Sequence, residues 1–246
     1  MGNDFDPVYT DGSGILRNRL RITDPDMLEE VALAYSDRVA LGMMELGREG
    51  IPIKVSGWNT ELLKNIHRAM LGKIYDWAGE YRKVDIGIEY DHVAYEHWEN
   101  VPDKLEEVFA YIRKHKCFME MGFADKVKNL ALVFGMIKNL QPFRDGNTRT
   151  ALVFTSLLAG RCGMVLDYAS LDTENFRRAQ VLARDGNYNP LVMQFAMMTF
   201  DEKDIPQLKM PKVLVSRTSD DIAEMVEGRC GRSSSLKTRP VREMDR

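Results

Sequence analysis

The sequence predicts an all-α protein carrying one small β-hairpin, on three observations. Apolar residues recur at helical spacing through most of the chain, Pro and Gly punctuate those runs, and one short stretch alternates with period two instead. Of the 246 residues, 44% are hydrophobic, enough for a sizeable core, and 29% are charged, an ordinary soluble surface. A formal net charge of -3 speaks against general nucleic-acid binding, which usually brings a basic excess. No apolar run approaches the roughly eighteen residues of a membrane span, and Met1 to Thr10 lacks the apolar stretch of a secretory signal. Cys117, Cys162 and Cys230 are widely spaced and odd in number, which reads as reduced thiols in a cytoplasmic protein.

Taken in order, residues 1–14 hold Asp-Pro, Asp-Gly and Ser-Gly turn signals and are expected to be irregular. Asp24-Pro25 has the form of a helix start, and Leu28, Val31, Ala32, Tyr35, Val39, Met43 and Leu46 continue a helical stripe. A second helix is expected over Thr60 to Tyr75, with Gly79 as its cap. Val84, Ile86 and Ile88 alternate with polar neighbours, predicting a strand or hairpin over Lys83 to Tyr95 that bends near Tyr90 and Asp91. Helices are expected again at 98–114 and 123–140, the latter stopped by Pro142. The segment 149–159 is apolar nearly all round, as a buried central helix should be, with Gly160 and Gly163 ending it. Two further helices are expected at 173–184 and 190–200. The composition then changes, giving one domain over 1–200 and a tail over 201–246, read as partly disordered with a short helix at 220–227. The scattered Met residues read as core filler.

The stretch Gln141-Pro142-Phe143-Arg144-Asp145-Gly146-Asn147-Thr148-Arg149 joins the fourth predicted helix to the buried one. The start of a helix presents free N–H groups and the positive end of a dipole, a ready anion site. Gly146 allows close backbone approach, Arg149 can fork onto phosphate oxygens, and Asp145 can hold Mg²⁺ against phosphate. On composition alone, a plain connection between two helices, with Asp-Gly as its turn, accounts for these residues equally well.

These residues resemble the signature of the Fic (Fido) family, His-x-Phe-x-Asp/Glu-Gly-Asn-Gly-Arg. The resemblance extends to Asp6-Pro7-Val8-Tyr9, Ile15-Leu16-Arg17-Asn18-Arg19-Leu20, Ile66-His67-Arg68, Ile74 to Arg82 and Val84-Asp85-Ile86, which are similar to Fic proteins of the bacterial cell-filamentation type. It implies the Fic-fold helical bundle with a β-hairpin flap beside the active site. It also implies transfer of AMP from ATP to a Ser, Thr or Tyr hydroxyl of a target protein. By that resemblance Asp145 would bind Mg²⁺, Gly146, Asn147 and Thr148 would line the phosphates, and Arg149 would hold the terminal ones. Val84, Ile86 and Ile88 would form the flap that docks the target by strand addition. A small antitoxin-like inhibitor is a further partner the family implies; nucleic acid and membrane are not expected partners.

Three positions depart from the pattern. The family's general base is a histidine where this chain has Gln141, a neutral carboxamide that cannot accept the target's proton. The signature's second glycine is Thr148, and a second arginine three residues beyond the first is Leu152. The sequence therefore predicts an ATP·Mg²⁺-binding Fic protein with weak or lost adenylyl transfer. The alternative is a nucleotide-binding pseudoenzyme, or a toxin relic, acting through its flap and partners, in its own cell or delivered to another. His92 and His97 lie near the flap as candidate substitute bases, whereas His67 reads as packing and His115 as a solvated side chain. Ala223 to Gly228 resembles the family's inhibitory helix except at Ala223, and is read as accidental because its arginine partner is also missing.

Overall fold

In the computed structural model of the chain, residues 7–48, 57–88, 93–168 and 171–204 are described. By contact the chain divides into two units, Met1–Pro206 and Gln207–Arg246, and every described residue belongs to the first. The tail beyond Asp204, with its segment 223–228, lies outside the described residues, as do His92 and the expected bend at Tyr90 and Asp91.

Among the described residues there are seven α-helices: α1 Pro25–Arg48, α2 Thr60–Leu71, α3 Val101–Lys114, α4 Phe123–Leu140, α5 Asn147–Arg161, α6 Thr173–Arg184 and α7 Asn189–Met198. Two antiparallel pairs accompany them. Strands β1 Gly87–Ile88 and β2 Val93–Ala94 form the hairpin, in the register Gly87↔Ala94 and Ile88↔Val93. Strands β3 Met164–Leu166 and β4 Thr199–Asp201 form the second pair.

Helix α5 is the axis of the bundle, in contact with α1, α2 and α4. Its Val153, Phe154 and Leu158 are fully buried, and its buried Thr150 and Thr155 satisfy their hydroxyls on the carbonyls of Gly146 and Ala151 one turn back. Helix α1 meets it along Leu28, Ala32, Ser36 and Ala40, a stripe of mostly small residues at a spacing of four that permits close approach. Asn59 caps α2 by accepting the Leu62 N–H at 3.1 Å, and Leu62, Leu63, Ile66, Met70 and Leu71 form that helix's buried face.

Several expected boundaries move. Helix α2 stops at Leu71 with Gly72 as its cap, so Gly79 is not the cap. Gly79 instead turns the following loop at φ 84, where a Cβ would sit 2.9 Å from Arg68. Gly160 lies inside α5, which begins two residues before Arg149 and runs to Arg161. The apolar run expected as one helix to residue 200 splits at Met198, because Thr199 turns extended to pair with Leu166. Pairing thus continues past residue 200. The period-two signal there is three residues long, too short to separate from the end of α7. Met193 and Met197 are exposed on α7 rather than core filler. Thr10 bridges Leu16, giving the expected irregular N-terminal segment one fixed point.

Candidate functional site

The loop between α4 and α5 is built by main-chain bonds from three directions. Gln141 caps α4 in the left-handed region (φ 44, ψ 63), which reverses the chain out of the helix. Phe143 is fully buried beneath the loop, stacked on the His67 ring with centroids 3.8 Å apart. Asn147 closes the turn from above. Its Oδ1 accepts the Phe143 N–H at 2.7 Å and its Nδ2 donates to the Phe143 carbonyl at 2.8 Å. Both polar atoms of that side chain are therefore engaged inside the loop, and what it still offers outward is a backbone N–H.

Gly146 stands immediately before α5 at φ 74, with α2 pressed against it. A Cβ there would lie 2.6 Å from Leu71 Cδ1. No side chain caps α5, so its first-turn N–H groups keep their positive end open. Asp145 accepts the Gly146 N–H on Oδ1 at 2.6 Å, and its other carboxylate oxygen bonds to no described residue. Arg149, one-fifth exposed, approaches Asp37 of α1 at 4.0 Å. Asp145 and Arg149 open into a cleft of about 330 Å³ whose other walls are the N-terminal segment Gly14 to Leu16, Tyr75, and Pro25 to Leu33 of α1. Thr148 is half-buried in the first turn of α5. An uncapped helix start, a glycine that tolerates no Cβ, a carboxylate with a spare oxygen and an arginine together fit a phosphorylated ligand carrying Mg²⁺.

His67 does more than pack. Its Nδ1 accepts the Gly79 N–H at 2.8 Å and its Nε2–H donates to the Asp145 carbonyl at 3.0 Å, which fixes the tautomer. Burial pushes its pKa down to about 4, so the ring is neutral as it holds the loop.

Arg82 carries the hairpin. Although 1% exposed, it donates Nε–H to the Gln141 carbonyl at 2.8 Å, one terminal nitrogen to the Val84 carbonyl at 2.8 Å, and the other to the carbonyls of Glu96 and Leu140. Its own N–H donates to the Pro142 carbonyl at 2.9 Å. One side chain thereby ties both stems of the hairpin to the start of the loop. Asp85 reinforces the base of the hairpin, receiving the Trp98 N–H at 2.9 Å and facing His97 Nδ1 at 2.7 Å. The second His97 nitrogen faces Glu99 at 3.4 Å, and the Asp85 hydrogen bond is the main cause raising the His97 pKa. With a carboxylate at each nitrogen, His97 serves the hairpin stem. Val84 and Ile86 precede β1, with the Ile86 carbonyl accepting the Tyr95 N–H at 3.3 Å, and Ile88 pairs with Val93.

Gln141 is 8% exposed, and its carboxamide makes no hydrogen bond with any described residue. The sequence singled out the loop and the hairpin but did not single out Arg82 as the link between them. Arg82 is one of five charged residues between Ile74 and Ile88, with Asp76, Glu80, Lys83 and Asp85, and nothing in the sequence marks it as the buried one.

This is a helical bundle with an uncapped helix start beside a β-hairpin. A model described as the Fic/DOC family matches residues 57–159. The probable protein adenylyltransferase Fic of Escherichia coli is 30% identical over 203 residues, covering 80% of this chain and 93% of that protein. The chain belongs to the Fic/DOC family. The protein adenylyltransferase VbhT of Bartonella schoenbuchensis is 27% identical over 182 residues, and the chain spans 36% of its length. Among solved structures, BepC of Bartonella tribocorum with bound AMPPNP superimposes with a TM-score of 0.71 at 19% identity, covering 78% of this chain and 96% of that one, which is a likeness of fold. Among the described residues no helix is long and apolar enough to cross a membrane.

Proposed function

We propose that this chain binds ATP·Mg²⁺ at the α4–α5 loop and belongs functionally with the protein adenylyltransferases, its own transfer step being weak or lost. The observation that carries this reading is the pairing of an uncapped α5 start, flanked by Asp145 and Arg149, with a side chain at Gln141 that cannot take a proton. Family membership supports the reaction class, and the names of the relatives, which are adenylyltransferases, support a hydroxyl-bearing protein as the second substrate. In this reading the first turn of α5 receives phosphate through the N–H groups of Asn147, Thr148 and Arg149. Arg149 neutralises the outer phosphates, and Asp145 holds the Mg²⁺. Bound Mg²⁺ would supply charge neutralisation across the phosphates. The hairpin 84–95 offers its backbone to a target segment. With no base at position 141, the target hydroxyl keeps its proton, and loss of general base catalysis costs about 10²–10⁴-fold in rate. That deficit, together with the departures at Thr148 and Leu152, is what favours a nucleotide-binding pseudoenzyme as the second reading.

Calorimetric titration with ATP·Mg²⁺ tests the binding half. Wild type is expected to bind, and Arg149→Ala to bind about tenfold or more weakly through loss of a charge-assisted contact. Absence of binding by wild type would overturn the proposal. Label transfer from α-labelled ATP into lysate proteins tests the other half, with Gln141→His expected to exceed wild type by about 10²-fold or more. Equal labelling by the two would show that position 141 does not limit transfer.

A further inference from the structure

The ends of α4 and α6 meet the exit of the hairpin at a corner that the nucleotide reading leaves unused. Asn139 fastens the two helix ends, its Nδ2 donating to the Ala183 carbonyl at 3.2 Å and to the Tyr188 hydroxyl at 3.3 Å. Arg82 fastens the hairpin exit to the same place through the carbonyls of Glu96 and Leu140. Into this corner Lys138 projects its ammonium group over the ring of Tyr95, 5.9 Å from its centroid. Among the described residues that ammonium makes no hydrogen bond and no ion pair. Its charged neighbour is Arg184, largely buried, which reaches Asp185 at 3.5 Å.

An ammonium without a counter-ion in a partly dehydrated corner is costly. The last turns of α4 and α6, to which Lys138 and Arg184 belong, offset part of that cost through their dipoles. The offset is incomplete, because burial first and Arg184 second still push the Lys138 pKa down to about 8. A carboxylate arriving beside the Lys138 ammonium would offset the cost of its dehydration by a charge-assisted hydrogen bond. Tyr95 directly follows β2, so a polypeptide lying along the hairpin would carry a side chain into this corner. Phosphate has its own place elsewhere, since Lys138 is not among the residues lining the cleft of Asp145 and Arg149.

We propose that Lys138, held over Tyr95, forms a recognition site for an acidic side chain, Asp or Glu, of the polypeptide that docks on the hairpin. The inference rests on the docking role given to the hairpin above. It makes this corner a specificity determinant, separate from the nucleotide and from the proton-transfer position.

The experiment uses the full chain and capped peptides of alternating Thr and Val, with one Glu walked through successive positions, each matched by a Gln peptide. Binding is followed by the NMR signal of the Lys138 ε-carbon, assigned with Lys138→Met, and by fluorescence anisotropy. The expected result is one register in which the Glu peptide binds about tenfold tighter than its Gln match, as a charge-assisted contact should. That preference should vanish in Lys138→Met and persist in Lys138→Arg, which keeps the charge. Equal binding of Glu and Gln peptides would overturn the inference while leaving the docking role standing. A preference that survives in Lys138→Met would also overturn it, by placing the acid elsewhere. Inorganic phosphate moving the Lys138 signal as far as the Glu peptide would assign the corner to phosphate and overturn it too. Failure of both peptide sets to bind would reject the docking role, and the inference with it.

Discussion

His67 shows what a single residue contributes here. The sequence placed it among packing residues, and burial with ring stacking bears that out. Its two hydrogen bonds were not legible, because their partners, Gly79 and Asp145, are main-chain groups that no side-chain pattern reveals. A neutral histidine in the folded state has a measurable consequence. Its folded pKa, about 4, lies below the ordinary 6.5, so the unfolded chain binds a proton that the folded one refuses. The stabilisation is complete above pH 6.5 and is lost as pH falls towards 4, a difference of roughly 3 kcal/mol at most. Urea unfolding between pH 7 and pH 4 should show wild type losing up to that much more stability than His67→Gln. Equal losses would mean the ring is not held neutral. Asn147 teaches the same lesson from the other side. Its place at the start of α5 was readable from the signature, but the commitment of both its polar atoms to Phe143 required the folded loop.

At the scale of elements, the helices were readable because each buries one face and is bounded by Pro, Gly or a capping residue. Helices α4 and α6 begin and end where periodicity put them. The hairpin was readable from only three alternating residues, and its strands are two residues each, too short to stand by hydrogen bonding alone. What supports them is Arg82, whose fork reaches both stems and the loop. Lysine cannot reproduce that fork, so Arg82→Lys should leave buried carbonyls unpaired and cost about 2–4 kcal/mol. Its specific signature is local. In hydrogen exchange the Tyr95 amide, bonded to Ile86, should exchange about tenfold faster or more, while amides at the centre of α5 slow or hasten only with global stability. A variant in which hairpin and α5 amides change together would show Arg82 to be a general core residue rather than a link.

For the molecule as a whole, the bundle and its family were legible in the sequence, whereas the β3–β4 pair was hidden. Its members lie more than thirty residues apart, each three residues long, and neither shows a usable alternation. The pair nevertheless closes the end of α5. The Thr199 hydroxyl donates to the Phe195 carbonyl at 2.5 Å, and the N–H groups of Asp167 and Glu202 donate to Met198 and Gly163 at 2.7 and 3.1 Å. A chain ending at Met198 should therefore melt roughly 5–10 °C below one ending at Pro206, for a loss of about 2–3 kcal/mol. Coincident melting curves would show β4 to be dispensable. The reversal at Gln141 has a consequence of another kind. The loop takes its form from Arg82, His67, Asn147 and Gly146, none of which hydrogen-bonds to the Gln141 carboxamide. The left-handed conformation there suits histidine at least as well as glutamine. The backbone at this position thus accepts either residue, and the codons for them differ only in the third base. A single nucleotide separates the glutamine at this position from a side chain able to accept a proton.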